Sequence, residues 1–169
     1  MYAVCLPSVA VGTLLIVLPA HATDQCGRWH AEIWEVEGGE AMTASICPPG
    51  ATEQRPILYF HCWQPGSVVL NYDDGGSGQP PGDDYEFVGT FTFSSGEHRV
   101  EKELMYSAMD AVMTADISNT DPLLTLLRGG NGEVAISPPA PGFATNTFPL
   151  TGATEAFDTL IKACSPETG

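Results

Sequence analysis

Hydrophobic and polar residues alternate along most of the chain, and the alternation predicts a series of short strands. Trp29, Ala31 and Ile33 fall on one face of an extended segment, while His30, Glu32, Trp34 and Val36 fall on the other. Gly38-Gly39 is a turn, Met42 to Ile46 a second strand, and Cys47-Pro-Pro-Gly ends it because proline removes ladder donors. Ile57 to Trp63 alternates most cleanly, with Leu58, Phe60 and Cys62 against Tyr59, His61 and Trp63. Pro65-Gly66 turns the chain into a further strand, Ser67 to Tyr72. After a polar loop, Tyr85 to Phe93 alternates again, with Phe87, Gly89, Phe91 and Phe93 on one side.

The segment His98 to Ile117 supports two patterns. Met105, Met109, Val112 and Met113 would form a helical stripe of core-filling methionines. Arg99–Tyr106 and Ala111–Ile117 also read as two strands around Met109-Asp110, and two strands are expected. A short helix over 122–128 is predicted from Asp121 as N-cap, Pro122 at the first helical position, Arg128 in the last turn and Gly129 beyond it. Glu133 to Ile136 is a strand, and 137–145 a Pro/Gly loop. Asn146 to Leu150 leads into a terminal helix near 152–164. There Ala153, Ala156, Phe157, Leu160, Ile161 and Cys164 share a face, with Thr151 as the cap and Gly152 as the turn. The fold class expected is mainly β (α+β): an antiparallel sheet or two-sheet sandwich with two short helices.

Composition adds a compartment. Val9 to Leu18 is apolar, Pro19 breaks it, and Ala20-His21-Ala22 has the small-x-small form of a signal-peptidase site. Residues 1–22 are therefore read as a secretory signal peptide and 23–169 as one disulfide-stabilised β-rich domain. The opening Met1-Tyr-Ala-Val lacks Lys and Arg, so either an upstream start or an atypical signal fits, and an uncleaved anchor is the competing reading. Four cysteines follow: Cys26, Cys47, Cys62 and Cys164. An even number behind a signal peptide predicts two disulfides in the periplasm or outside the cell. Three pairings are possible, and Cys47–Cys62 with Cys26–Cys164 is the expected one. No stable membrane span is expected after signal removal.

The net charge is −15. A surface that acidic repels nucleic acid and anionic lipid and could attract a basic partner. Candidate chemistry is sparse. Asp73, Asp74, Asp83 and Asp84 in the loop 73–84 offer carboxylates of the kind calcium takes, although their spacing matches no EF-hand or repeat-type calcium loop and a solvated hairpin tip accounts for them as well. Trp29, Trp34, Tyr59 and Trp63 could form an aromatic binding surface, against the alternative that they pack in the core. His30, His61 and His98 lack metal-ligand spacing, and Ser77 sits in a Gly-x-Ser-x-Gln near miss to a nucleophile elbow. No catalytic residue, cofactor or resident metal is assigned.

The ending carries a resemblance. Asp121-Pro-Leu-Leu opening a short helix, Gly129-Gly130, a strand, then Phe148-x-Leu150-x-Gly152-Ala153 and a helix with Ala156-Phe157 and Leu160-Ile161 resemble small periplasmic proteins of the invasion-associated locus B type. The resemblance spans Ile117 to Cys164, and the N-terminal half departs from it. It implies a secreted, sheet-rich, non-enzymatic protein with an envelope or host-interaction role. Three function classes follow: a protein that binds another protein, such as an inhibitor of a basic enzyme; a calcium- or small-ligand-binding module using loop 73–84; and a hydrolase of unknown type.

Overall fold

The structure is a computed structural model that describes residues 26–36, 38–50, 56–76, 83–139 and 144–165. The expected signal peptide, residues 1–22, and residues 77–82 of the acidic loop lie outside these. The elements in chain order are β1 (His30–Val36), β2 (Gly39–Ile46), β3 (Ile57–Gln64), β4 (Ser67–Asp73), β5 (Val88–Ser95), β6 (His98–Ser107), β7 (Val112–Ser118), α1 (Pro122–Gly129), β8 (Glu133–Ser137), β9 (Asn146–Pro149) and α2 (Ala153–Ala163). The strands form a single nine-stranded sheet in the order β1-β2-β3-β4-β7-β6-β5-β8-β9, with every pairing antiparallel. The open choice between sheet and sandwich therefore resolves to one sheet with two helices.

The sheet curls until its edges approach. The Trp29 N–H, just before β1, donates to the Thr151 carbonyl, just after β9, at 2.9 Å. At the other end of the sheet, Asn146 Nδ2 reaches the Tyr72 hydroxyl at 2.6 Å, although β4 and β9 are far apart in strand order. Side chains from both halves fill the concave face: Leu58, Phe60, Leu70, Tyr72, Phe91, Phe93, Leu104, Val134, Ile136 and Phe148 are all fully buried. Helix α2 closes this face. Its Phe157 packs against Trp29 at 4.8 Å and Phe60 at 5.0 Å between ring centroids.

The ambiguous segment 98–117 is two strands, β6 and β7, as expected. Strand parity turns Met113 into the core and Met105 outward, and Met109 stands exposed in the connecting turn, so the methionines do not form one core stripe. Helix α1 starts as predicted: Asp121 Oδ1 accepts from the Leu123 N–H at 2.8 Å, and Pro122 occupies the first turn. Asp121 Oδ2 also receives Lys102 Nζ at 2.5 Å, which ties β6 to the helix start. Asn146–Pro149 does not simply lead into the terminal helix. It is the edge strand β9, paired with β8. Helix α2 begins without the Thr151 cap. Gly152 takes that place at φ 81°, and a Cβ there would stand 2.7 Å from the Trp29 carbonyl oxygen. The crossing of the two sheet edges needs this close backbone approach, which only glycine permits.

All four cysteines are in disulfides, but the pairing is Cys26–Cys47 and Cys62–Cys164. The expected Cys47–Cys62 bond is ruled out by register. Ile46 faces Leu58 and Thr43 faces His61 on the β2–β3 ladder. Cys47 and Cys62 thus sit about five positions apart along it, roughly 16 Å at ~3.3 Å per residue, against the ~7 Å that a disulfide can span between Cα atoms. The β1–β2 ladder, with His30 opposite Ser45, instead carries Cys26 back beside Cys47, where the Gly27 N–H also bonds the Cys47 carbonyl at 2.7 Å. Cys164 ends α2 at the β3–β4 hairpin, and its carbonyl accepts from the Gly66 N–H at 2.7 Å. Cys164 therefore staples the terminal helix to strand β3 through Cys62, not to Cys26 as expected.

Candidate binding groove on the outer face of the sheet

Strand β2 turns Ala41, Thr43 and Ser45 toward the outer face, and all three are buried although none belongs to the concave core. Larger side chains on the flanking strands cover them: His30, Glu32 and Trp34 from β1, Tyr59 and His61 from β3. Small residues on the central strand let the flanking rings lean inward and meet. Trp34 and Tyr59 lie 5.5 Å apart, and Tyr59 stacks on His61 at 6.4 Å. Trp63 continues the row at 56% exposure, beneath the β1–β2 turn at Gly38.

This row forms one wall of a groove of about 590 Å3 that crosses the outer face toward β7 and β6. Val69 and Asn71 make its floor, and Met105, 55% exposed, stands at the far side with Asp110 and Asp116. Besides Tyr59 and His61, the ionisable side chains on this face of the groove are Asp110 and Asp116; Glu35 borders it at the end of β1 with its side chain on the Ile33 side of the strand, and no Lys or Arg is in the lining. None of these three carboxylates pairs with a Lys or Arg among the described residues. Burial pushes the Tyr59 phenol up to about 12, with Asp110 and then Asp73 adding to the rise. Burial also holds the His61 imidazole below its ordinary value, opposed by the attraction of Asp110 and Asp116. The ring nitrogen Nδ1 of His61 lies 3.2 Å from Asn71 Nδ2, which fixes the ring in the row.

Of the four aromatic residues singled out in the sequence, Trp34, Tyr59 and Trp63 meet here. Trp29 does not. It is 2% exposed beneath α2, and its indole N–H has no partner among the described residues. The parity that sets Trp29 with Ala31 against Trp34 already separated them. His61, Asn71, Met105, Asp110 and Asp116 were not picked out as parts of this site. The outward phase of β3 could have found His61, but the rest depended on β4 and β7 being neighbours, a long-range pairing that local pattern does not contain.

The acidic loop behaves differently. Asp73 Oδ1 accepts from the Gly75 N–H, Asp74 Oδ1 from the Gly76 N–H and Asp84 Oδ1 from the Glu86 N–H. Asp74 also receives the Ala144 N–H on Oδ2 and the Asn146 side chain on its carbonyl. These carboxylates organise their own turns, and Asp74 moors the start of β9. Asp83 adopts a positive φ of 57° in the same loop. Among the described residues no group of three or more His, Cys, Asp or Glu is placed to share an ion.

One cluster has the residue types of a hydrolytic triad. His30 Nε2 lies 3.2 Å from Ser45 Oγ and 3.3 Å from Glu32 Oε1. A triad needs the serine and the carboxylate on opposite ring nitrogens. Here both crowd Nε2, and Nδ1 faces the Arg28 carbonyl at 3.5 Å. Glu32 is further held by the Trp34 indole N–H at 2.8 Å. The cluster braces the edge of the aromatic row. A second groove, about 560 Å3, runs between α1 and the β5–β6 turn. It contains no Trp, Tyr or Phe, and its charges are mixed, with Glu97 beside Arg99. The outer-face groove is therefore the better-defined candidate.

No helix among the described residues is long and apolar enough to cross a membrane. No protein family model matches the chain, and no curated protein matches it. Among solved structures, the chain is similar in outline to invasion associated protein B from Bartonella henselae. The two share 18% identity at a TM-score of 0.49, over 82% of this chain and 94% of that one. A likeness this coarse carries no function from one protein to the other.

Proposed function

We propose that the protein is a secreted or periplasmic, non-enzymatic binding protein that takes a basic region of another protein into its outer-face groove. The observation that carries this reading is the groove's lining: exposed Trp63 and Met105 beside the Trp34–Tyr59 pair, with Asp110 and Asp116 and no Lys or Arg. Exposed aromatic and methionine side chains gathered in one place mark association surfaces. Carboxylates around aromatic faces suit Lys and Arg, which gain both ion pairing and cation–π attraction there. The net charge of −15 would steer a basic partner toward the protein from a distance. Two disulfides support a location outside the cytoplasm. An inhibitor of a basic enzyme fits the same description, since acidity speeds encounter with a cationic target.

The test is a titration with a basic protein such as a lysozyme, beside an acidic protein of similar size, at low and high salt. Binding of the basic protein alone, weakened by salt and by replacing Trp34 and Trp63 together with alanine, is expected. Equal binding of both proteins, or binding indifferent to the two tryptophans, would refute the reading.

A further inference from the structure

Strand β1 is the first strand of the sheet, and along its outer edge no described strand pairs with it. An edge strand leaves about half of its N–H and C=O groups unpaired along the open side. One side chain marks this edge as incomplete. Ile33 shares the core-facing side of β1 with Ala31, yet it is 61% exposed. An apolar β-branched residue thus points to the inner side of the sheet and is left mostly uncovered by the described residues. On the opposite side of β1, Glu32 and Trp34 stand beside the groove. The strand contains two glutamates and no Lys or Arg.

We propose that β1 is a docking edge, where an extended segment of the basic partner adds as a further strand. This rests on the reading of the partner as basic, and it assigns the mode of recognition. A strand laid on β1 would alternate its side chains between the two faces. One set would cover Ile33, and the other would lie beside Glu32 and Trp34 and continue into the groove. The segment recognised is therefore one in which apolar and basic residues alternate. Two copies of this chain are poorly suited to pair along the same edge, because each would bring a strand with two glutamates and no Lys or Arg.

The probe is a synthetic peptide alternating valine and lysine, long enough to span the seven residues of β1. Two further versions carry backbone N-methyl groups on one or the other alternate set of residues. Hydrogen exchange of the His30–Val36 amides is expected to slow when the unmodified peptide binds. One methylated version should lose about tenfold or more in affinity because its missing N–H groups faced β1, and the other should bind nearly as the parent. Ile33→Lys, at an exposed position, should weaken binding while leaving the melting temperature unchanged. Binding with unchanged exchange in β1 and equal affinity of both methylated peptides would overturn strand addition and leave the groove reading standing. Failure of every basic peptide to bind would overturn both. Dimerisation of the free protein with protection of the same amides would assign the edge to a second copy and overturn the proposal.

Discussion

Trp34 and Tyr59 meet across β2, with ring centroids 5.5 Å apart and planes inclined at 40°, although their own strands are not neighbours. The small side chains of Ala41, Thr43 and Ser45 make that contact possible. Trp34→Ala should cost about 1 kcal/mol of stability, the scale of one aromatic pair. Its effect on a basic partner should be larger, about 2 kcal/mol or roughly thirtyfold in affinity, as for a central aromatic anchor. Calorimetric melting and binding titration of one variant separate the two. Enlarging the side chain beneath the rings with Ala41→Leu should push them apart and weaken binding in the same way.

The disulfide pairing predicts unequal losses. The Cys62–Cys164 bond closes 102 residues and Cys26–Cys47 closes 21. On the chain-entropy model these correspond to about 4.7 and about 3 kcal/mol. Replacing Cys62 and Cys164 together with serine should therefore lower the denaturation midpoint more than replacing Cys26 and Cys47, and should free the end of α2 to proteolysis. Peptide mapping without reduction checks the pairing itself.

Asp121 has two jobs, capping α1 and receiving Lys102, with both side chains largely shielded from water. Asp121→Asn keeps a capping oxygen and removes the charge. Asp121→Ala removes both and should cost about 1 kcal/mol more, the value of an N-cap. Equal melting temperatures for the two variants would mean that the cap contributes nothing.

His61 should make the protein acid-sensitive in a defined direction. Its folded-state value lies below the ordinary one because burial disfavours the imidazolium. Between that value and the ordinary ~6.5, the unfolded chain binds more protons than the folded one. Stability therefore falls as pH drops through this window and levels off below it. His61→Gln should flatten that part of the stability profile. Asp110→Asn removes the larger of the attractions that hold the imidazole up, so the His61 titration should move lower by NMR.

Much of the architecture was legible in the chain. Alternation located the strands because one face of each is apolar, and Asp121-Pro122 marked the start of α1 because capping and proline geometry are local. The disulfide pairing was not legible, since it depends on the β2–β3 register and on which end of α2 meets the sheet edge. The Thr151 cap failed for a similar reason: the contact of Gly152 with the Trp29 carbonyl is made by sheet closure. The three aromatic residues of the groove, Trp34, Tyr59 and Trp63, were visible as outward positions. Trp29 shared their chemistry but had the opposite parity, and Asp110 and Asp116 arrive only when β7 pairs with β4.

The most direct test of the groove uses the indole N–H signals of Trp29, Trp34 and Trp63 in a 15N-labelled sample. Titrated with the valine–lysine peptide, the Trp34 and Trp63 indole signals and the amides of His61, Asn71 and Thr114 are predicted to shift. Trp29, buried under α2, and the turn at Asp73–Gly76 should stay in place. Shifts concentrated in that acidic turn, or spread evenly while the Trp34 and Trp63 signals do not move, would contradict the account.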